Sequence, residues 1–165
     1  MPDTEVVTDD FVAPEVYYAQ LARVRQGAGA LITTPDGRMV MYDVTYRDYL
    51  ELPGGVVEVD EPPPVACQRE CREELGVDIQ VGRLLVIDHQ VDGGDRGNSV
   101  MFVYDGGIVE ESVLRAVPTD EGRGVVVDPR DLLDATTPRL AARIGHALNA
   151  RETWDVVEMV NGHRR

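Results

Sequence analysis

The chain has 165 residues, 43% of them hydrophobic, which is enough for one globular domain with a buried core. Its formal charge is −14, from 30 acidic and 16 basic residues. This excess of acid argues against a DNA or RNA polymer as partner, because nucleic-acid affinity depends largely on cationic side chains. All 16 basic residues are arginine, so a Schiff-base lysine and the phosphate-binding lysine of a Walker motif are excluded.

The two cysteines, Cys67 and Cys71, are four positions apart and do not form a C-x-x-C pair. We therefore expect buried structural thiols in a reduced protein. The sequence has no pattern typical of a secretory signal and no apolar run of about 18 residues. These features predict a cytoplasmic protein that does not associate with a membrane.

Residues 1–27 are predicted to be an N-terminal extension. Within it, Pro14 and the apolar residues that follow indicate a short helix over residues 14–25, which we expect to end at Gly27 and Gly29. Extended segments follow at residues 28–33, 38–43 and 49–52, the first two joined by a hairpin turn at residues 35–37.

A central helix is predicted over residues 65–75. Prolines at 62–64 are compatible only with its first turn, and Gly76 is a suitable residue to end it. Further strands are expected at residues 84–91, 99–104 and 124–127, then a helical turn at 129–133 and a terminal helix at 138–150 with Leu140, Ala141, Ile144 and Leu148 on one face.

The central helix belongs to a spaced motif of glycine and charged residues. Written as a pattern it is G-x5-E-x7-R-E-U-x-E-E-x-G-U, where U is aliphatic. Its fixed positions are Gly55, Glu61, Arg69, Glu70, Cys71, Glu73, Glu74, Gly76 and Val77. The motif resembles the Nudix box, the signature of the Nudix hydrolase family, and departs from it only at Cys71, which replaces an aliphatic residue.

The resemblance covers residues 28–150 and leaves residues 151–165 as a predicted C-terminal tail. It implies the Nudix fold, an α/β/α sandwich with a mixed sheet. It also implies hydrolysis of a nucleoside diphosphate linked to another moiety, X. We expect a small-molecule nucleotide as substrate, and the motif does not distinguish nucleoside triphosphates, ADP-ribose and related nucleotide sugars, or dinucleotide cofactors.

The helical part of the motif is two-sided. Residues three and four apart share a helix face, so Glu70, Glu73 and Glu74 project together beside an apolar stripe that contains Cys67 and Cys71. Three adjacent carboxylates repel one another unless a cation lies between them. Oxygen ligands favour a hard divalent cation, so we expect Mg²⁺, with Mn²⁺ as an alternative.

The family resemblance assigns roles to the acidic face. Glu70 and Glu74 would be the main metal ligands and Glu73 a further ligand. The backbone carbonyl of Gly54 would also bind the metal, and the glycines there let the main chain come close to an ion.

The resemblance also assigns positioning roles. Arg69 would orient the neighbouring glutamate at position 70, and Glu61 would brace the loop against Arg69 and share the metal shell. The general base is a glutamate of the box in some family members and an acid on a late loop in others. We favour Glu121 on the late loop over the weaker pair at residues 110–111, although residues 120–121 also fit a solvated turn.

Three candidates lie outside the motif, and each has a simpler structural explanation. Residues 46–49, with two tyrosines around Arg47, could contact a base and a phosphate, but sheet packing with a surface arginine explains them better. His89 fits a half-buried histidine in a strand better than a catalytic one, and Arg96 fits a solvent-exposed loop arginine.

The predicted activity is metal-dependent hydrolysis of a pyrophosphate bond. The alternative is a non-catalytic Nudix-like sensor or regulatory module that binds a nucleotide without cleaving it. Loss of the box carboxylates would indicate such a module, and none is lost. A homodimer in which the N-terminal helix pairs two subunits is compatible with both functions.

Overall fold

The computed structural model describes residues 13–91, 94, 97–114 and 120–165. Within these residues the chain forms eight strands: β1 Arg25–Thr33, β2 Met39–Val44, β3 Gly54–Val56, β4 Leu84–Gln90, β5 Ser99–Ile108, β6 Gly122–Val127, β7 Val157–Val160 and β8 His163–Arg164. It also forms four α-helices: α1 Pro14–Gln20, α2 Pro63–Leu75, α3 Leu132–Ala135 and α4 Pro138–Thr153. Short 3₁₀ turns occur at Glu111–Val113 and Pro129–Asp131.

The strands form one mixed sheet in the order β6-β2-β1-β5-β4-β7-β8, and β3 pairs with β1 outside this path. Two neighbouring pairs are parallel, β1 with β5 and β4 with β7, whereas the other pairs are antiparallel. Strand β1 is central, because its first half pairs with β3 and its second half with β2. The glycine segment before the box is thereby held at the middle of the sheet.

Helices cover both faces of the sheet. The apolar stripe of α2, which includes Cys67, Cys71 and Leu75, is fully buried against one face. On the other face α4 buries Ile144, Ala147 and Ala150. The α/β/α arrangement and the mixed sheet that the sequence predicts are therefore confirmed.

Helix α2 shows why its limits were predictable. It begins at Pro63, where a missing backbone N–H costs no hydrogen bond. It ends at Gly76, whose φ of 69° is the left-handed conformation that glycine adopts without steric cost.

The beginning of β1 differs from the sequence prediction. Helix α1 stops at Gln20, and Gly27 and Gly29 lie inside β1 instead of ending a helix. These glycines are needed for close packing: a Cβ on Gly27 would lie 2.6 Å from the Met101 methyl carbon, and one on Gly29 would lie 3.0 Å from the Pro53 carbonyl oxygen. Their role is in the sheet, which local sequence patterns do not reveal.

The C-terminal residues contribute to the sheet. Helix α4 continues to Thr153, and β7 then pairs in parallel with β4, with Val157 and Met159 buried. Residues 151–165, for which the sequence predicted only a tail, thus include the end of α4 and the strands β7 and β8. No helix in the described part of the chain is long and apolar enough to cross a membrane.

Candidate active site

The glycine segment and helix α2 meet at the base of a cleft. Gly54 has a φ of 141°, and a Cβ there would lie 2.3 Å from the carbonyl oxygen of Ala28. A Cβ on Gly55 would lie 2.5 Å from the carboxyl carbon of Glu70. The first glycine lets the backbone pack closely against β1, and the second leaves the space that the Glu70 carboxylate occupies.

Arg69 connects the acidic residues of the motif. Its Nε and Nη2 each donate to one carboxylate oxygen of Glu61, both at 3.0 Å. Its Nη1 donates to Glu70 Oε1 at 2.9 Å, and Nη2 also donates to the carbonyl oxygen of Val56 at 3.1 Å. The guanidinium therefore ties the loop after β3 to α2 and fixes one oxygen of Glu70, which are the contacts that the family resemblance implies.

The hydrogen bonds from Arg69 lower the pKa of Glu61, and the backbone N–H of Glu58 adds to this effect. The pKa of Arg69 is raised, chiefly by its hydrogen bonds to Glu61. This pair therefore stays charged and rigid across the physiological range.

Glu74 is the carboxylate with the most perturbed environment in the site. Burial, with a smaller effect of the neighbouring carboxylates of Glu70, Glu51 and Glu121, raises its pKa to about 8. Its one opposing contact is the backbone N–H of Gly54, which donates to Glu74 Oε2 at 2.8 Å. Burial also raises the pKa of Glu70, against the opposing effect of Arg69.

A cavity of about 430 Å³ lies over these residues. Glu70 and Glu74 line it together with Glu51 and Glu121, and Gly54 and Gly55 form part of its wall. Arg25, Arg47 and Arg143 also line this cavity. The neighbouring carboxylates lie close enough to Glu74 to disfavour its ionisation.

Glu121 belongs to the late loop that precedes β6. The backbone N–H of Thr45 donates to its carbonyl oxygen at 3.0 Å and places the loop beside β2. Glu121 is exposed and lines the cavity, whereas the weaker candidate Glu111 forms an ion pair with Arg38 at 2.8 Å. Of the late-loop candidates, Glu121 is the one that lies with the box carboxylates.

Glu73 lies at the edge of the site. Its side chain is 59% exposed and accepts a 3.2 Å hydrogen bond from Arg69 Nη1, and it does not line the cavity in the described residues. The structure therefore brings Glu70 and Glu74 together over Gly54 and places Glu73 outside that group.

The donor set fits a hard divalent cation. In the described residues no three His, Cys, Asp or Glu side chains are grouped closely enough to hold a metal ion by themselves. Mg²⁺, however, typically binds one or two carboxylates and completes its shell with water and phosphate oxygens. Glu70 and Glu74, both partly desolvated and with raised pKa values, provide such a pair, and Arg69 offsets only the charge of Glu70.

The candidates outside the motif differ in their position relative to the cavity. Arg47 lies over the rings of Tyr46 and Tyr49 and forms an ion pair with Glu51 at 2.5 Å, at the cavity wall. His89 lies in β4, 3.5 Å from Glu158, on the strand that pairs with β7 and away from the cavity. Arg96 lies outside the described residues.

Sequence reasoning missed three charged residues that line the cavity: Glu51, Arg25 and Arg143. Glu51 comes immediately before the Leu52–Gly55 segment but has no motif of its own. Arg143 could have been noticed, because it interrupts the apolar face of the terminal helix next to Ile144. A charge at such a position usually has a buried partner.

Comparisons with known proteins agree with this geometry. A family model described as NUDIX domain matches residues 23–148. No curated protein matches the chain. Similar solved structures include a UDP-X diphosphatase, with a TM-score of 0.70, 18% identity, and coverage of 91% of this chain and 76% of that one.

Two further structures have a similar fold. A MutT NUDIX hydrolase from Burkholderia pseudomallei has a TM-score of 0.62 and 26% identity, covering 76% of this chain and 98% of its own. An ADP-ribose pyrophosphatase from Streptococcus suis 89-1591 has a TM-score of 0.63 and 19% identity, covering 84% and 99%. Because the family match spans most of the chain and includes the whole motif from Gly55 to Val77, the chain belongs to the Nudix hydrolase family.

Proposed function

We propose that the protein hydrolyses a pyrophosphate linkage in a nucleoside diphosphate derivative, with Mg²⁺ or Mn²⁺ as cofactor. One observation carries this proposal: Glu70, Glu74 and Glu121 line one cavity together with Gly54 and Gly55. A solvated acidic helix face would leave its glutamates in water, whereas burial perturbs Glu70 and Glu74.

Glu70 and Glu74 would hold the metal, and the backbone of Gly54 would approach it closely. When bound, Mg²⁺ supplies Lewis-acid chemistry: it offsets the charge of the diphosphate and polarises its oxygens. Arg69 keeps Glu70 in position through its 2.9 Å hydrogen bond, and Glu61 holds the other side of the same guanidinium. Both act as positioning residues.

Glu121 would act as general base. Its carboxylate takes a proton from the attacking water, the water oxygen forms a new bond to phosphorus, and the bond from that phosphorus to the bridging oxygen breaks. The products are two phosphorylated molecules. Glu121 lies on the cavity wall with the proposed metal ligands and has solvent access, which supports this role.

The substrate would be a nucleoside triphosphate, ADP-ribose or a similar nucleotide sugar. Two proteins of similar structure, a UDP-X diphosphatase and an ADP-ribose pyrophosphatase, support a nucleoside diphosphate derivative, since both names describe cleavage of such a linkage.

A nucleotide panel tests the proposal. Purified protein is incubated with nucleoside triphosphates, ADP-ribose and nucleotide sugars, with Mg²⁺ or with EDTA, and the products are identified by chromatography. We expect turnover of at least one substrate that stops in EDTA. The Glu74→Gln variant should lose that turnover, whereas the matched control Glu152→Gln, on the exposed side of α4, should keep it.

Folding of the Glu74→Gln protein is checked by circular dichroism. Full turnover by Glu74→Gln would contradict the metal assignment. Metal-dependent binding of a nucleotide without any product would instead support the non-catalytic binding module.

A further inference from the structure

An exposed aromatic ring lies on the wall of the candidate active-site cavity. Tyr46 follows the end of β2 and is 69% exposed, although it lines the cavity together with the glutamates of the box. Among the described lining residues, the other aromatic side chains are Tyr42, which is buried, and Phe102, which is half-buried in the sheet. Tyr46 therefore presents the largest accessible aromatic surface to a ligand in this cavity.

Arg47 supports the Tyr46 ring from one side. Its guanidinium carbon lies 5.5 Å from the centroid of the Tyr46 ring and 5.4 Å from that of the Tyr49 ring. Its Nη1 donates to the Tyr49 hydroxyl and to Glu51 Oε1, each at 2.5 Å. These contacts leave the guanidinium little freedom to move, so the ring that lies against it is held in place as well.

Glu51 connects this cluster to the acidic residues of the box. Its backbone forms two hydrogen bonds with Tyr42 in β2, of 2.9 and 2.7 Å. Its carboxylate lies near enough to Glu74 to add to the effect of burial, which raises the pKa of Glu74. Through Arg47 and Glu51, the Tyr46 ring is thus joined to the part of the cavity that would hold the cleaved diphosphate.

A structural brace of the turn after β2 does not require an aromatic residue at position 46. Arg47, Tyr49 and Glu51 carry the hydrogen bonds of that turn. In the described part of the chain, Tyr46 contacts Arg47 with its ring and forms no side-chain hydrogen bond. Because most of the ring stays in water, its apolar surface adds little to the stability of the fold.

An accessible ring in a cavity that would bind a nucleotide matches a nucleobase. Every base has a flat π-face, and stacking on tyrosine favours binding without demanding a particular hydrogen-bond pattern. The ribose and the phosphates of a nucleotide have no such face. The ring at position 46 therefore distinguishes the base from the rest of the substrate.

The charge of Arg47 determines which kind of ring can stack on Tyr46. The face of an aromatic ring carries partial negative charge and attracts a cation. Arg47 already supplies that cation on one face. A second positive charge on the opposite face would be repelled by the guanidinium, whereas an uncharged base would not.

We propose that Tyr46, supported by Arg47, is the stacking surface for the nucleobase of the substrate and selects an uncharged base over a cationic ring. This inference rests on the proposed function, because it concerns the nucleoside whose diphosphate the glutamates would cleave. It makes Tyr46 a specificity-determining residue that contacts the base and takes no part in the cleavage.

Nucleoside monophosphates test the stacking surface without turnover, because they contain no pyrophosphate bond. AMP, GMP, CMP and UMP are titrated calorimetrically with Mg²⁺, and ribose 5-phosphate is the ligand without a base. We expect at least one nucleotide to bind at least tenfold more tightly than ribose 5-phosphate, as base stacking predicts. Tyr46→Ala should remove most of this difference, whereas Tyr46→Phe, which keeps the ring, should retain it.

The matched control is Tyr18→Ala, because Tyr18 in α1 is 67% exposed and lines neither this cavity nor the neighbouring one. It should bind every ligand as the wild type does. A purely structural role of Tyr46 would instead lower Tm and weaken binding of ribose 5-phosphate in Tyr46→Ala. That result, or a preference for the nucleotide that survives Tyr46→Ala or is absent from the wild type, would overturn the stacking surface.

The oxidised and reduced forms of nicotinamide mononucleotide test the selection by charge. They have the same size, and only the oxidised ring is cationic. We expect the reduced form to bind about two- to twentyfold more tightly, which is the Coulomb repulsion of two charges roughly 9 Å apart at an effective dielectric constant between 80 and 20.

Two arginine variants test whether this repulsion comes from behind the ring. Arg47→Gln should reduce the preference for the reduced form. Arg25→Gln removes the same charge from another part of the cavity wall and should leave most of the preference in place. Equal affinity of the wild type for the two forms, or an equal change in the two variants, would overturn the selection by charge.

Kinetics with the best substrate of the nucleotide panel separate this proposal from the hydrolase. Tyr46→Ala should raise KM about tenfold and leave kcat nearly unchanged, because the base stacks equally in the ground state and the transition state. Base-dependent binding that requires Tyr46, without turnover of any substrate, would overturn the hydrolase and retain the stacking surface. Turnover with an unchanged KM in Tyr46→Ala would overturn the stacking surface and retain the hydrolase.

Discussion

At the scale of single residues, Gly55 determines where the carboxylate of Glu70 can lie. A methyl group at this position would lie 2.5 Å from the carboxyl carbon of Glu70, so Gly55→Ala must displace that carboxylate from Arg69. Displacements near 1 Å can cost about 10²-fold in rate. We expect kcat of Gly55→Ala to fall by about that factor, measured with the best substrate of the panel.

Gly145→Ala is the matched control, since a Cβ at this position in α4 would meet no atom within 4 Å. It should keep full turnover and stabilise the protein by about 0.5 to 1 kcal/mol, because alanine is the better helix former. A Gly55→Ala protein as active as Gly145→Ala would show that the position of Glu70 is unimportant.

Glu121 and Glu73 have different expected roles. Glu121→Gln removes the proposed base and should lower kcat by about 10² to 10⁴-fold while Mg²⁺ binding persists. Glu73→Gln changes a side chain that is 59% exposed and should lower kcat much less. Steady-state kinetics and Mg²⁺ titration of both variants provide the comparison. A larger loss of kcat in Glu73→Gln than in Glu121→Gln would indicate that the general base is a glutamate of the box.

At the scale of elements, a buried ion pair between Asp88 and Arg143 joins β4 to α4, and the backbone N–H of Gly162 donates to Asp88 from the C-terminal hairpin. Arg143→Met leaves Asp88 charged and unpaired in the core, which typically destabilises a protein by about 3 to 5 kcal/mol. The double variant Asp88→Asn with Arg143→Met removes both charges and should recover most of the loss in urea unfolding. A double variant no more stable than Arg143→Met would mean that the unpaired charge is not the cause.

The elements that sequence patterns predicted are those with local determinants. Prolines and Gly76 set the limits of α2, and a short turn joins β1 to β2. Strand β7 is only four residues long and depends on pairing with β4, about 70 positions earlier in the chain. The same distinction holds for the site. The box could be predicted because its residues are close in sequence. The position of Arg143, by contrast, depends on Asp88, which only the fold brings near.

At the scale of the whole molecule, the charge of −14 affects how a metal effect must be measured. Any salt screens the repulsion between so many carboxylates and stabilises the protein to some extent. Specific binding of Mg²⁺ between Glu70 and Glu74, as proposed above, would add to this and would saturate with concentration. At 100 times its Kd a ligand contributes about 2.7 kcal/mol, which for a chain of this size corresponds to a rise in Tm of roughly 5 to 10 °C.

We therefore expect MgCl₂ to raise Tm more than NaCl of equal ionic strength. EDTA should remove only the additional rise that MgCl₂ gives over NaCl. Glu74→Gln should lose the Mg²⁺-specific part and keep the response to NaCl, because the overall charge changes by only one unit. Glu152→Gln makes the same change in charge away from the cavity and should keep both responses. Equal shifts with the two salts in the wild type would mean that the acidic cavity acts through general screening and binds no metal.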